Sequence, residues 1–224
     1  MNGSELAHLL DAALTGLAAS ADELRDLDAA LGDGDLGITV AGGTTAARTA
    51  MTGLGPDPTP ADVMLAIAPA VARANPSTFG TLSAFALMAG ARSIPGVTDL
   101  TQADVVSVGR AAIGAISTRG KSAVGDKTVL DALVPSVDAI EQSPAGAGTG
   151  TGTDQPSGRD ARRLELLDAG IAAARRGVEE TRGLTSRRGR AAWIGDRGQG
   201  TPDAGATAYL RFLESLRTAI AADD

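Results

Sequence analysis

Apolar positions recur every three or four residues along most of this chain, the spacing of amphipathic helices. Leu6, Leu9, Leu10, Ala13, Leu14 and Leu17 share one helix face, with Ser4 as a candidate cap. Asp22 to Leu31 is helix-like, and another helix begins near Ile38 and runs toward Met51. Gly53 to Pro58 reads as a turn-rich connection. Thr59-Pro60-Ala61-Asp62 has the cap, the proline at the first position and the first-turn acid of a helix start. Helices are expected over residues 60–73 and 79–92, parted by Asn75-Pro76-Ser77. More follow from Ala103 to Thr118 behind the Thr101 cap, from Lys127 to Ile140 with a kink at Pro135, from Arg159 to Arg182, and from Ala204 to Ala221. No segment alternates with the period of two that marks a strand. The pattern predicts an all-α bundle of about eight helices. Gly146 to Gly158, part of a low-complexity stretch over about 144–158, is expected to be a flexible Gly/Thr-rich linker inside one domain spanning 1–224.

Composition narrows the core and the partners. The 224 residues are 43% hydrophobic but only 2% aromatic, so Ala, Leu, Val and Ile must fill the interior. Small side chains let helices approach closely, and Ala is the best helix former. No apolar run approaches the ~20 residues of a membrane span. No basic N-terminal region precedes an apolar stretch, so no secretory signal and no membrane partner are expected. With no Cys, disulfides, zinc thiolates and cysteine catalysis are excluded; this fits a cytoplasmic location. The net charge of −7 disfavours nucleic acid as a partner. Arg182, Arg187, Arg188, Arg190 and Arg197 nevertheless cluster near the C-terminal end. Such a patch on an acidic protein suits a phosphate ligand better than a long polyanion, though a solvated charged surface has the same composition.

The chemistry concentrates in Asp28-Ala29-Ala30-Leu31-Gly32-Asp33-Gly34-Asp35-Leu36-Gly37, which packs three carboxylates and three glycines between two helices. Crowded carboxylates repel one another, and a hard cation such as Mg²⁺ removes the conflict. Gly32-Asp33-Gly34-Asp35-Leu36-Gly37 also fits the dinucleotide pattern G-x-G-x-x-G, but a helix rather than a strand precedes it. An EF-hand loop fails, because its twelfth position counted from Asp33 is Thr44 and not Glu. A metal site and an ordinary Gly/Asp turn both remain open from spacing alone.

Three further segments stand out. Ala74-Asn75-Pro76-Ser77-Thr78-Phe79-Gly80-Thr81 opens a helix and could hold an anion or only cap the helix. Gly125-Asp126-Lys127-Thr128 precedes another helical stretch, and the third is Gly189-Arg190-Ala191 with the later Asp203-Ala204-Gly205-Ala206-Thr207. In this order, and together with the Asp28–Gly37 segment, they resemble the nucleotide-binding subunit or domain of dihydroxyacetone kinases, the DhaL family. The resemblance covers nearly the whole chain.

The resemblance implies an antiparallel barrel of about eight helices with the nucleotide at one end. It implies that Asp28, Asp33 and Asp35 hold two Mg²⁺ ions that clamp the phosphates of ADP or ATP. Asn75, Ser77, Thr78, Gly80 and Thr81 then align with the phosphate-contacting loop, and Gly125 and Thr128 with the surroundings of the adenine. Arg190, or a neighbouring arginine, would approach the phosphates as the catalytic cation, with Asp203 near the ribose or the mouth of the site. The ketose is implied to sit on a separate ketose-binding subunit, held through a histidine. His8, the one histidine here, matches no such role. The phosphoryl donor would be ATP, or a phosphotransferase-system protein that recharges bound ADP. Leu36, Thr39, the Arg73–Thr78 stretch and Thr201-Pro202 depart from the family pattern, which leaves dihydroxyacetone and other small ketoses such as a tetrulose open. A nucleotide-loaded regulatory protein that binds a transcription factor or another protein is the competing function.

Overall fold

The computed structural model describes residues 1–144, 156–188, 192 and 198–223. Among them are nine α-helices, the complete 3₁₀ turn at 181–183 and no strand, with one isolated bridge between Asn2 and Asp99. The helices are α1 (Gly3–Ala18), α2 (Ala21–Leu31), α3 (Leu36–Met51), α4 (Pro60–Ala74), α5 (Thr78–Ser93), α6 (Gln102–Gly120), α7 (Leu130–Gln142), α8 (Pro156–Glu180) and α9 (Ala204–Ala222); the 3₁₀ turn is Thr181–Gly183. Each helix from α3 to α9 packs on the next, and α9 returns to α1, which also touches α3. The ring is thereby closed into an all-α barrel. Helix α2 lies across the closure, against α3 and α9.

Local chemistry sets the helix starts. Thr59 and Asp62 form a reciprocal capping box on α4, with Pro60 in its first turn, and Thr101 and Asp104 do the same for α6. Helix α1 is capped by Asn2 with Glu5, two residues before the expected Ser4. Asn2 offers its side-chain oxygen to the Glu5 N–H, which leaves Ser4 inside the first turn. Helix α7 begins at Leu130, not at Lys127. Lys127 sits at φ 61°, a left-handed conformation that no helix can include. Pro156 to Gly158, expected at the end of the linker, are the first residues of α8. The rest of that expected linker, 145–155, lies outside the described residues.

The core is aliphatic and rich in alanine. Ala13, Ala132, Ala174 and Ala206 are fully enclosed, and Leu9, Leu167, Ile171, Leu210 and Leu213 fill the space among α1, α7, α8 and α9. A second cluster, Leu24, Leu36, Val40, Ala204 and Ala208, joins α2, α3 and α9 and lies next to Phe79. Arg211 ties α9 to α2 through two bonds to Glu23, at 2.8 and 2.7 Å.

Helix α7 runs through Pro135. Proline has no N–H to give the carbonyl four residues back, which is that of Asp131. Helix α8 crosses at this carbonyl with Gly177, where a Cβ would stand 2.0 Å from the Asp131 oxygen. Gly177→Ala is therefore expected to force α7 and α8 apart and to cost roughly 1–3 kcal/mol. Urea unfolding measures it, and an unchanged midpoint would contradict the close crossing.

Candidate functional site

Asp28 lies in the last turn of α2, Asp33 in the following loop, and Asp35 immediately before α3. One carboxylate oxygen from each lies within 4.8 Å of the others. The local fold explains the convergence. The Asp28 carboxylate accepts the Leu36 N–H at 3.2 Å, capping α3 from across the loop. Asp35 occupies the N-cap position, yet its side chain makes no capping bond there. Gly37 lets α3 press against α2, since a Cβ there would stand 2.4 Å from the Ala21 carbonyl oxygen. Burial first, and the Asp28 charge second, pushes the Asp35 carboxyl above its ordinary value. Three hard oxygen donors gathered this closely suit Mg²⁺, and the residues present fit that ion.

The carboxylates form one side of a cleft of about 180 Å³, whose other walls include Ser77, Thr78, Phe79, Arg188, Asp203 and Gly205. Ser77 caps α5, accepting the Gly80 N–H at 3.0 Å. Thr78 lies beside it on the cleft wall. Asn75, Gly80 and Thr81 are not among the lining residues. Asn75 donates its side-chain amide to Thr39 Oγ1 at 2.8 Å, which ties this turn to the helix behind the carboxylates. The bond joins two residues that lie 36 positions apart in the chain.

Asp203 caps α9 through the Ala206 N–H at 2.7 Å, and its own N–H donates to Thr181 Oγ1. Burial pushes its carboxyl up to about 7. Gly125 lines a separate cleft of about 360 Å³ with Val124, Val134, Pro135 and Leu184. Thr128 gives its N–H to Asp131, and its hydroxyl accepts the Leu130 N–H. Arg190 lies outside the described residues. Among the described residues Arg188 is the cation on the cleft wall, and it pairs with Asp126 at 3.0 Å. Composition marks the arginine cluster, but nothing in the spacing singles out Arg188, because its partner is 62 residues away. His8 is largely exposed on α1, 3.2 Å from Asp223 and unconnected with the cleft.

Two outcomes follow from these charges. Because Asp35 titrates above its ordinary value, its ionised form is unfavourable in the fold. At pH 7 and without divalent ions, Asp35→Asn is expected to melt above the wild type. With Mg²⁺ at about 100 times Kd the wild type gains about 2.7 kcal/mol, and the variant gains far less. Equal gains, or a variant that melts lower in metal-free buffer, would count against the site. For Asp203 the folded-state pKa exceeds the unfolded value of about 4, so the folded protein keeps the extra proton. Metal-free stability then declines as pH rises from about 4 to about 7, by roughly 1.4 kcal/mol per pH unit at its steepest. Asp203→Asn keeps an oxygen for the cap and should flatten that decline; matching pH–stability curves for the two proteins would refute the assignment.

Residues 30–218 match the DAK2 domain family. The D-erythrulose kinase of Mycolicibacterium smegmatis is 35% identical over 205 residues, covering 90% of this chain and 33% of that enzyme. The ADP-binding subunit DhaL of a PEP-dependent dihydroxyacetone kinase from Listeria innocua is 28% identical over 205 residues, covering 88% of this chain and 87% of the subunit. Among solved structures, the dihydroxyacetone kinase of C. freundii in complex with AMP-PNP and Mg²⁺ superposes with a TM-score of 0.69 at 19% identity, over 97% of this chain and 34% of that one. The chain spans about a third of the length of the erythrulose kinase, as it does of the C. freundii enzyme. The family match extends from the end of α2 into α9, and by it the protein belongs to the DAK2-domain family, that of the DhaL subunits of dihydroxyacetone kinases.

Proposed function

We propose that this chain is the ATP/ADP-binding part of a kinase for dihydroxyacetone or a related small ketose. It would transfer phosphate to a ketose held by a partner subunit or domain. The observation that carries the reading is the convergence of Asp28, Asp33 and Asp35 in a cleft walled by the N-terminus of α5 and by Arg188. Relatives named for dihydroxyacetone and erythrulose phosphorylation support it.

In this reading Asp28, Asp33 and Asp35 hold two Mg²⁺ ions, which when bound supply positive charge against the nucleotide phosphates. The chain's own residues position and enclose. The α5 N-terminus presents Thr78 and Ser77 to the phosphate side, and its partial positive charge favours an anion there. Asn75 holds that turn against α3, Gly80 and Thr81 lie in the first turn of α5, and Asp203 is a further part of the cleft wall. Gly125 and Thr128 are assigned to the base side and Arg190 to the transferring phosphate. Phosphoryl transfer needs mainly positioning and charge neutralisation, which this set supplies. The donor would be ATP or a phosphotransferase-system protein acting on bound ADP. No described helix is long and apolar enough to cross a membrane.

Native mass spectrometry of the chain with Mg²⁺ and ADP tests the binding half. Two metals and one nucleotide per chain are expected, and their loss in Asp33→Ala. Adding a ketose-binding subunit and labelled ATP, or a phosphorylated donor protein, should then yield labelled ketose phosphate. Nucleotide binding without transfer to any small ketose would point to the regulatory reading, and no binding would end both.

A further inference from the structure

The Gly125–Thr128 turn has a use that its sequence does not reveal. Part of its bonding ties it to the start of α7. Asp131 accepts the Gly125 N–H at 2.6 Å and the Thr128 N–H at 2.7 Å. What the turn presents outward is a grip on the segment around Arg188. The Asp126 carbonyl accepts the Arg187 N–H at 3.1 Å. The Asp126 carboxylate accepts Arg188 Nε at 3.0 Å. Lys127 Nζ donates to the Leu184 carbonyl at 3.2 Å and to the Gly198 carbonyl at 2.8 Å, on either side of Arg188. Lys127 is almost completely buried and reaches these carbonyls from a left-handed backbone.

Asp126 is well suited to aim an arginine. Its side chain is only 8% exposed, against 47% for Arg188. A buried carboxylate holds its cation far more firmly than an exposed one, because leaving either unpaired is costly. The Ala123 N–H fixes the carboxylate from a second direction. Arg188 is held through Nε, so its two Nη groups are not used in the bond to Asp126. That half of the guanidinium fork is the part suited to phosphate oxygens. Arg188 stands on the wall of the cleft that contains Asp28, Asp33 and Asp35. Arg187 is the natural contrast: it is 72% exposed, lies 3.7 Å from Asp126, and is not part of that wall.

We propose that Arg188 binds the nucleotide phosphates through its Nη groups and that Asp126 is its positioning residue, with Lys127 fixing the chain on both sides. This rests on the reading of the cleft as a nucleotide site. It gives the Gly125–Thr128 motif a role at the phosphate end through Arg188.

Calorimetric titration of the whole chain with ADP in the presence of Mg²⁺ tests it in five proteins: wild type, Arg187→Ala, Arg188→Ala, Asp126→Asn and the double variant. Losing a charge-assisted contact to phosphate is expected to weaken Arg188→Ala by about 10- to 100-fold, with Arg187→Ala within about threefold of wild type. Asp126→Asn should lose affinity in the wild-type background and none when Arg188 is already alanine. A melting curve accompanies each variant, and Arg188→Gln, which keeps the packing of the stem, must reproduce the alanine result. Equal affinities for Arg188→Ala and Arg187→Ala would overturn the proposal while leaving the nucleotide site intact. So would losses from Asp126→Asn and Arg188→Ala that add. A wild type that fails to bind ADP with Mg²⁺ would instead overturn the site itself, and the proposal with it.

Discussion

Three carboxylates gathered within 4.8 Å are the constraint around which this protein is organised. Without a counter-charge they repel, and the raised pKa of Asp35 records that repulsion together with its burial. Asp28 caps α3 through the Leu36 N–H and so links the two helices that bear the cluster. A divalent cation would relieve the repulsion among the three carboxylates.

The barrel serves to hold these parts still. The Leu24, Leu36, Val40 cluster packs under the carboxylate loop, and Arg211 clamps α2 to α9 through Glu23. Thr39 and Asn75 join the carboxylate side of the cleft to the α5 side by one side-chain bond. Asp203 connects the start of α9 to the 3₁₀ turn through Thr181. Apart from Arg188 and the Asp33 loop, the walls of the cleft are thus helix ends rooted in an apolar cluster. That placement leaves little freedom in the relative positions of the polar groups, which is what phosphoryl transfer asks of a protein.

The helical architecture was legible in the sequence because periodicity and caps are local signals. Thr59, Thr101 and Pro60 mark helix starts where the structure has them. The misplacements have local causes as well. Asn2 rather than Ser4 caps α1 because Glu5 lies three residues from Asn2, and Lys127 is excluded from α7 by a positive φ that composition does not announce. Asp28, Asp33 and Asp35 were readable as a candidate cluster, since they lie within one short segment. Arg188 was not, because its selection depends on Asp126, far off in the chain, and on a buried Lys127 that reaches two carbonyls. The Thr39–Asn75 bond was invisible for the same reason: each residue alone looks like a departure, and only the fold pairs them.

The account stands or falls on whether the carboxylate cluster holds metal beside phosphate. The most direct measurement is anomalous diffraction from crystals grown with ADP and Mn²⁺ in place of Mg²⁺. The account predicts anomalous peaks at coordination distance, about 2.0–2.3 Å, from oxygens of Asp28, Asp33 and Asp35, with phosphate density between them and the start of α5. ADP bound with no metal at these three residues, or metal bound elsewhere on the barrel, would contradict it.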